Sequence, residues 1–177
     1  MEQGEKPLVL DLAPRLDSLA QVVDLDRIEL KVGDILDYES LSELVRQRGI
    51  KKIVHAAANP RLVAGADEDP DRAIRLNIIG TANVLEVARK YDVERVMFSS
   101  SSTLYRFRKD GREGGMLKED NYPRTTKVYT TTKLACENLG LNYFETYGVG
   151  FVALRFAPVF GPWSARAEVL LARCSGK

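Results

Sequence analysis

Tyr129 and Lys133 stand four positions apart in "VYTTTKL", residues 128–134. On a helix that spacing stacks a phenol and an ammonium on one face. A free phenol, with a pKa of ~10, is a poor base at neutral pH, and a cation held close favours the phenolate. The same spacing also describes a half-exposed pair on an amphipathic helix, where both residue types are common. The surrounding sequence has to decide.

Apolar, β-branched runs alternate with helical patterns along the chain. "LVLDL" (8–12), "RIELKV" (27–32), "KKIVHAAA" (51–58), "ERVMFSSSS" (94–102) and "GVGFVALRF" (148–156) have the character of buried strands. Residues 38–48 carry helical spacing and end at Gly49. A long helix is expected over 71–91, with Ile74, Ile78, Val84, Leu85 and Ala88 on its apolar face, and a second over 125–147. Alternation of this kind implies an α/β fold with a parallel sheet and flanking helices. Ligands of such sheets bind beyond the carboxyl ends of the strands. The residues expected at that edge are Asp11, "GDILD" (33–37), "HAAANP" (55–60), "SSSSTLY" (99–105) and "RFAPVFGP" (155–162).

Composition narrows the function classes. The 177 residues are enough for one domain with a real core, and 45% apolar with 29% charged residues is ordinary for a globular chain. Lysine plus arginine number 26 against 25 acids, a net charge of +1 that gives no long-range pull toward nucleic acid or anionic membrane. The basic cluster Arg106, Arg108, Lys109 and Arg112 is expected to be a solvated loop, or else to hold a substrate phosphate. Two cysteines, Cys136 and Cys174, form no disulfide framework and suit a reducing cytoplasm. One histidine cannot complete a structural zinc site, and the longest apolar run is broken by Arg155. A cytoplasmic location is therefore expected.

Five stretches in order, "GDILD", "IVHAAA", "NIIGTANVLEVARKYDVERVMFSSSSTLY", "YTTTK" and "LRFAPVFGP", resemble the extended short-chain dehydrogenase/reductase family of the NAD-dependent epimerase/dehydratase type. The nearest pattern is that of nucleotide-sugar epimerases such as UDP-glucose 4-epimerase. The resemblance implies a Rossmann-like domain over 1–163, followed by the start of a C-terminal region over 164–177. It implies that Tyr129 is the acid/base on a substrate hydroxyl and that Lys133 holds the nicotinamide ribose. Ser101, counted back from "TLY", would hydrogen-bond the same substrate oxygen; Ser100 and Ser102 remain alternatives, and turn or cap roles suit all of these hydroxyls. Asp11 would accept the adenosine ribose hydroxyls, favouring NAD over NADP, although Arg15 lies near. Asp34 and Ile35 match the pair beside the adenine. Ala56, Ala57 and Ala58 match the small residues that let backbone approach cofactor. Ser99 and Pro158 fall on the cofactor side by the same resemblance. Asn77 is either a site residue or a helix residue satisfied by backbone, and His55 is expected to be structural.

The pattern also departs from the family. Arg106 stands where a glycine is usual, and Pro158 where an asparagine is usual. The family's opening strand, Gly-x-x-Gly-x-x-Gly turn and helix, which hold the pyrophosphate, have no counterpart before residue 8. "LVLDL" and "KKIVHAA" are then expected either to pair directly or to leave two open edges that invite another chain. The expected activity is hydride exchange with NAD on a nucleotide-sugar or another small alcohol or carbonyl substrate, in a homodimer paired through the two long helices. The alternatives are a non-catalytic, cofactor-poor fragment or partner-binding module and, within enzymes, a 3β-hydroxysteroid- or flavonoid-type alcohol dehydrogenase.

Overall fold

The computed structural model describes residues 6–58, 62–105, 127–157 and 159. Pro158, the basic cluster at 106–112, Cys174 and the segment 164–177 lie outside the described residues. Among the described residues five strands occur: β1 (Leu8–Asp11), β2 (Glu29–Val32), β3 (Lys52–His55), β4 (Arg95–Ser101) and β5 (Phe151–Phe156). They alternate with α1 (Leu16–Leu19), α2 (Tyr38–Arg48), α3 (Leu62–Glu68), α4 (Pro70–Ile74), α5 (Gly80–Lys90) and α6 (Val128–Tyr147). Every strand pairing is parallel. This is the α/β architecture that the alternating pattern implies.

The strands form two sheets, β1–β2 and β3–β4–β5. Among the described residues β1 and β3 do not pair with each other, contrary to the first of the two expectations for these strands. Both sheets nevertheless rest on one helical layer. Leu10 of β1, Ile53 of β3 and Phe151 of β5 pack against a core of Leu41 and Val45 from α2, Val84, Val87 and Ala88 from α5, and Val96 from β4. Fully burying one such aliphatic side chain contributes roughly 1.5–3 kcal/mol, so this shared cluster fixes the two sheets to the same helices. Val54, 69% exposed on the open β3 strand, lies on the other face with Val152, Leu154 and Phe156.

Local signals set the helix ends. The Asp37 carboxylate caps α2 by accepting from the Ser40 backbone N–H at 3.1 Å, and Gly49 ends it at φ 57°, a conformation that favours glycine. Gly148, at φ 74°, ends α6 in the same way. Gly140 faces the Phe151 ring, and any side chain there would meet that ring. The glycine lets α6 lie directly on β5.

The helix expected over 71–91 is not a single α-helix. A π-helical turn, Arg75–Ile79, joins α4 to α5. One wide turn breaks the 3.6-residue period, so the apolar face does not run through it. Val84, Leu85 and Ala88 are buried as expected, whereas Ile74, before the turn, is 44% exposed. Among the described residues no helix is long and apolar enough to cross a membrane.

Candidate active site

β4 delivers three consecutive serines to the edge where α6 begins. The strand ends at Ser101, and a short 3-10 turn, Ser102–Leu104, carries the chain away. The Ser101 side chain accepts from the Thr103 N–H at 3.2 Å, which anchors the turn. α6 packs beside it and presents Tyr129, 5% exposed, and Lys133, 3% exposed. Thr130 and Thr131 return their hydroxyls to the Lys127 carbonyl at 2.8 and 3.1 Å, which settles the first turn of the helix.

Lys133 Nζ donates to the Ser99 carbonyl at 2.6 Å and lies 4.7 Å from the centroid of the Phe98 ring. Desolvation pulls its ammonium below the usual lysine range. Desolvation also raises the Tyr129 phenol above its ordinary value, and a hydrogen bond with the Ser101 hydroxyl opposes it. Lys133 Nζ is 5.8 Å from the centroid of the Tyr129 ring. The lysine charge is thus spent on a carbonyl and an aromatic face, and burial governs the phenol.

Beneath the pair runs a buried polar chain. Asn77, in the π-helical turn and 2% exposed, donates from Nδ2 to Thr132 Oγ1 at 2.9 Å. Thr132 donates in turn to the Tyr129 carbonyl at 2.8 Å. The Asn77 carbonyl accepts from Thr81 Oγ1 at 2.6 Å and from Cys136 Sγ at 3.1 Å. Because Thr81 spends its proton there, it accepts from His55 Nε2 at 2.8 Å, which fixes the neutral histidine with its proton on Nε2. Burial, and to a lesser degree the Lys133 charge, push the His55 pKa down to about 4.

The remaining candidates lie at strand ends around this centre. Asp11 ends β1, exposed, with Oδ1 accepting from the Ala13 N–H at 2.8 Å. Asp34 Oδ1 accepts from the Leu36 N–H at 2.9 Å. Ile35 is buried against Gly80, and its carbonyl accepts from Asn83 Nδ2 at 2.9 Å, so its side chain belongs to the packing. Ala56 and Ala57 follow β3 exposed, with Ala58 half-buried. Ser99, Ser101, Tyr129 and Lys133 therefore form one contacting group, with Asn77 below it. Asp11 ends β1 and Asp34 follows β2, and neither makes a described hydrogen bond to that group.

Sequence reasoning missed Glu137 and Arg155, whose buried ion pair at 2.7 Å lies one helical turn beyond Lys133. The signal was present. An arginine inside a run that otherwise has the character of a buried strand requires a buried acid to pair with it.

The same segments align with known proteins. UDP-glucose 4-epimerase from Halalkalibacterium halodurans is 31% identical over 157 residues, covering 88% of this chain and 44% of that protein. The fold of this chain is similar to that of UDP-glucose 4-epimerase from Brucella ovis solved in complex with NAD, at TM-score 0.70 and 28% identity, over 87% of this chain and 45% of that one. UDP-glucose 4-epimerase from Thermotoga maritima, solved with UDP-glucose, shares the fold at TM-score 0.78 and 24% identity, over 91% of this chain and 50% of that one. The chain thus spans about half the length of these relatives or less. The model of the NAD dependent epimerase/dehydratase family matches residues 2–174. A match of that extent places the chain in the NAD dependent epimerase/dehydratase family.

Proposed function

We propose that this chain carries the proton-transfer half of an NAD-dependent epimerase or dehydratase site acting on a nucleotide-sugar. The observation that carries the reading is the placing of Tyr129 and Lys133 on one buried face of α6 at the end of β4, with Lys133 on the Ser99 carbonyl and Tyr129 beside the Ser101 hydroxyl. Tyr129 exchanges a proton with a substrate hydroxyl, and Ser101 hydrogen-bonds the same oxygen. Lys133 is the cation, one helical turn away, that can draw the phenol down when the substrate oxygen arrives.

NAD fits the residues at two ends. Asp11 and Asp34 offer carboxylates to ribose hydroxyls and to the adenine edge. The exposed Ala56 and Ala57 leave room for close approach, and Lys133 is placed for the nicotinamide ribose. When bound, NAD supplies the hydride acceptor and donor for the alcohol carbon. Among the described residues no glycine-rich strand-to-helix turn follows a strand to hold the pyrophosphate. Each lost hydrogen bond to such a charged partner costs roughly 1.5–3 kcal/mol. Relatives crystallised with NAD support the cofactor. The buried, unpaired Cys136 thiol suits a reducing, cytoplasmic setting.

The test is a thermal melt with and without excess NAD. A rise in the cooperative transition is expected, since a ligand that binds only the folded state stabilises it, by about 2.7 kcal/mol at a hundred times Kd. A cooperative melt that NAD leaves unmoved sinks the cofactor part of the reading.

A homodimer through the long helices belongs to the same reading. Leu141, Phe144 and Tyr147 of α6 are 52–54% exposed, and Ile74 and Ile79 beside α5 are 44% and 50% exposed. Sedimentation is expected to give a dimer that Phe144→Asp dissociates. If association survives that change but is lost in Val54→Lys, the open β3 strand rather than the helices joins the copies.

A further inference from the structure

Tyr129, Lys133 and Glu137 recur at intervals of four along one buried face of α6. The first two belong to the proposed chemistry. Glu137 does not, yet it is only 5% exposed. A carboxylate buried there without partners is costly, and side chains from two strands satisfy it. Ser100 Oγ, at the end of β4, donates to it at 2.5 Å. Arg155, from β5, donates through Nε at 3.0 Å and Nη2 at 2.7 Å. The same guanidinium donates through Nη1 to the Tyr105 hydroxyl at 2.5 Å, where the chain leaves the 3-10 turn. A two-nitrogen fork on a carboxylate fixes direction as well as charge.

Ser100 sits between the two residues that touch the pair. Its predecessor, Ser99, gives Lys133 a carbonyl acceptor, and its successor, Ser101, gives Tyr129 a hydroxyl partner. Tying Ser100 to α6 therefore sets the spacing of both contacts at once. Net stability is a poor account of the cluster, because a buried ion pair contributes little over apolar packing of the same volume. We propose that Glu137 is a positioning residue: through Ser100 and Arg155 it holds the end of β4 at the spacing from α6 at which Ser99 meets Lys133 and Ser101 meets Tyr129. The inference rests on the reading that Tyr129 and Lys133 do the chemistry, but its test does not need turnover.

The measurement is the Cζ resonance of Tyr129 in protein carrying carbon-13 tyrosine, at one neutral pH. Its assignment comes from its loss in Tyr129→Phe. Ser101→Ala supplies the position without the hydroxyl partner. Glu137→Leu and Ser100→Ala are expected to move the resonance most of the way to that position. Glu137→Gln, whose amide oxygen still accepts from Ser100, is expected to leave it at the wild-type value. Circular dichroism establishes that each variant is folded, and Ser100→Ala carries the test if Glu137→Leu does not fold. A folded Ser100→Ala protein with the wild-type Tyr129 resonance overturns the proposal. Failure of the catalytic reading is a separate event: full turnover by Tyr129→Phe removes the chemistry and leaves these shifts as they are.

Discussion

Tyr129→Phe is expected to lower turnover of a nucleotide-sugar by about 10²–10⁴-fold, the usual contribution of a positioned proton-transfer group. Only the phenolic oxygen is removed, so KM changes little and the loss falls on kcat. The ring stays packed against Ala66 of α3 and Ala73 of α4, and the melting temperature stays close to wild type. The rate is read from the nucleotide-sugar product formed, separated chromatographically from the added substrate, in both proteins at saturating NAD. A loss smaller than about threefold would leave the proton to another group and end the role proposed for Tyr129. Because burial raises this phenol, wild-type turnover is also expected to climb as pH rises from neutral.

Acid is expected to unfold the chain through His55. Its pKa falls from an ordinary 6.5 to about 4 in the folded protein, so unfolding takes up a proton between those values. The contribution to stability is full above pH 6.5 and is lost as pH falls toward 4. A depression of that size corresponds to about 3 kcal/mol, with a slope of about 1.4 kcal/mol per pH unit at its steepest. It is the one histidine in the sequence, which makes the assignment direct. The groups that bear on it are Thr81, which accepts its Nε2 proton, the Phe98 ring at 5.6 Å, and the Lys133 ammonium. Urea unfolding of the wild type and of His55→Gln at several pH values between 7 and 4 checks the effect. The difference between the two slopes is expected to amount to about one proton. Parallel slopes would mean that His55 is not held neutral in the folded protein.

Much of the fold was legible because the strands are short β-branched runs buried by helices, and their alternation with helical patterns leaves few architectures. Gly49 closes α2 in the sequence as it does in the structure. The Tyr129–Lys133 spacing predicts one helix face, and both residues lie buried on it. Periodicity failed at Arg75–Ile79, because counting in steps of 3.6 has no way to register a wider turn. It failed again at α3, where "LVAGADE" carries a glycine and a first turn without acids, so no start or stop signal marks it. The electrostatic state of Tyr129 was illegible for a different reason. Spacing brings a lysine near a tyrosine, but only the packing decides that its ammonium meets the Ser99 carbonyl instead.

The division of the strands into two sheets also has a temporal side. Successive backbone amides of a strand point to opposite edges. Over Val96–Phe98 β4 has partners on both sides, β3 and β5, so its N–H groups there are engaged whichever way they point. β1 and β3 each have a strand partner on one side among the described residues, so about half of their amides point toward no strand. In deuterated water the molecule should therefore keep two clocks, slow in β4 and fast along alternate residues of β1 and β3. Any segment that settled between those strands would announce itself by bringing the fast clock into step with the slow one.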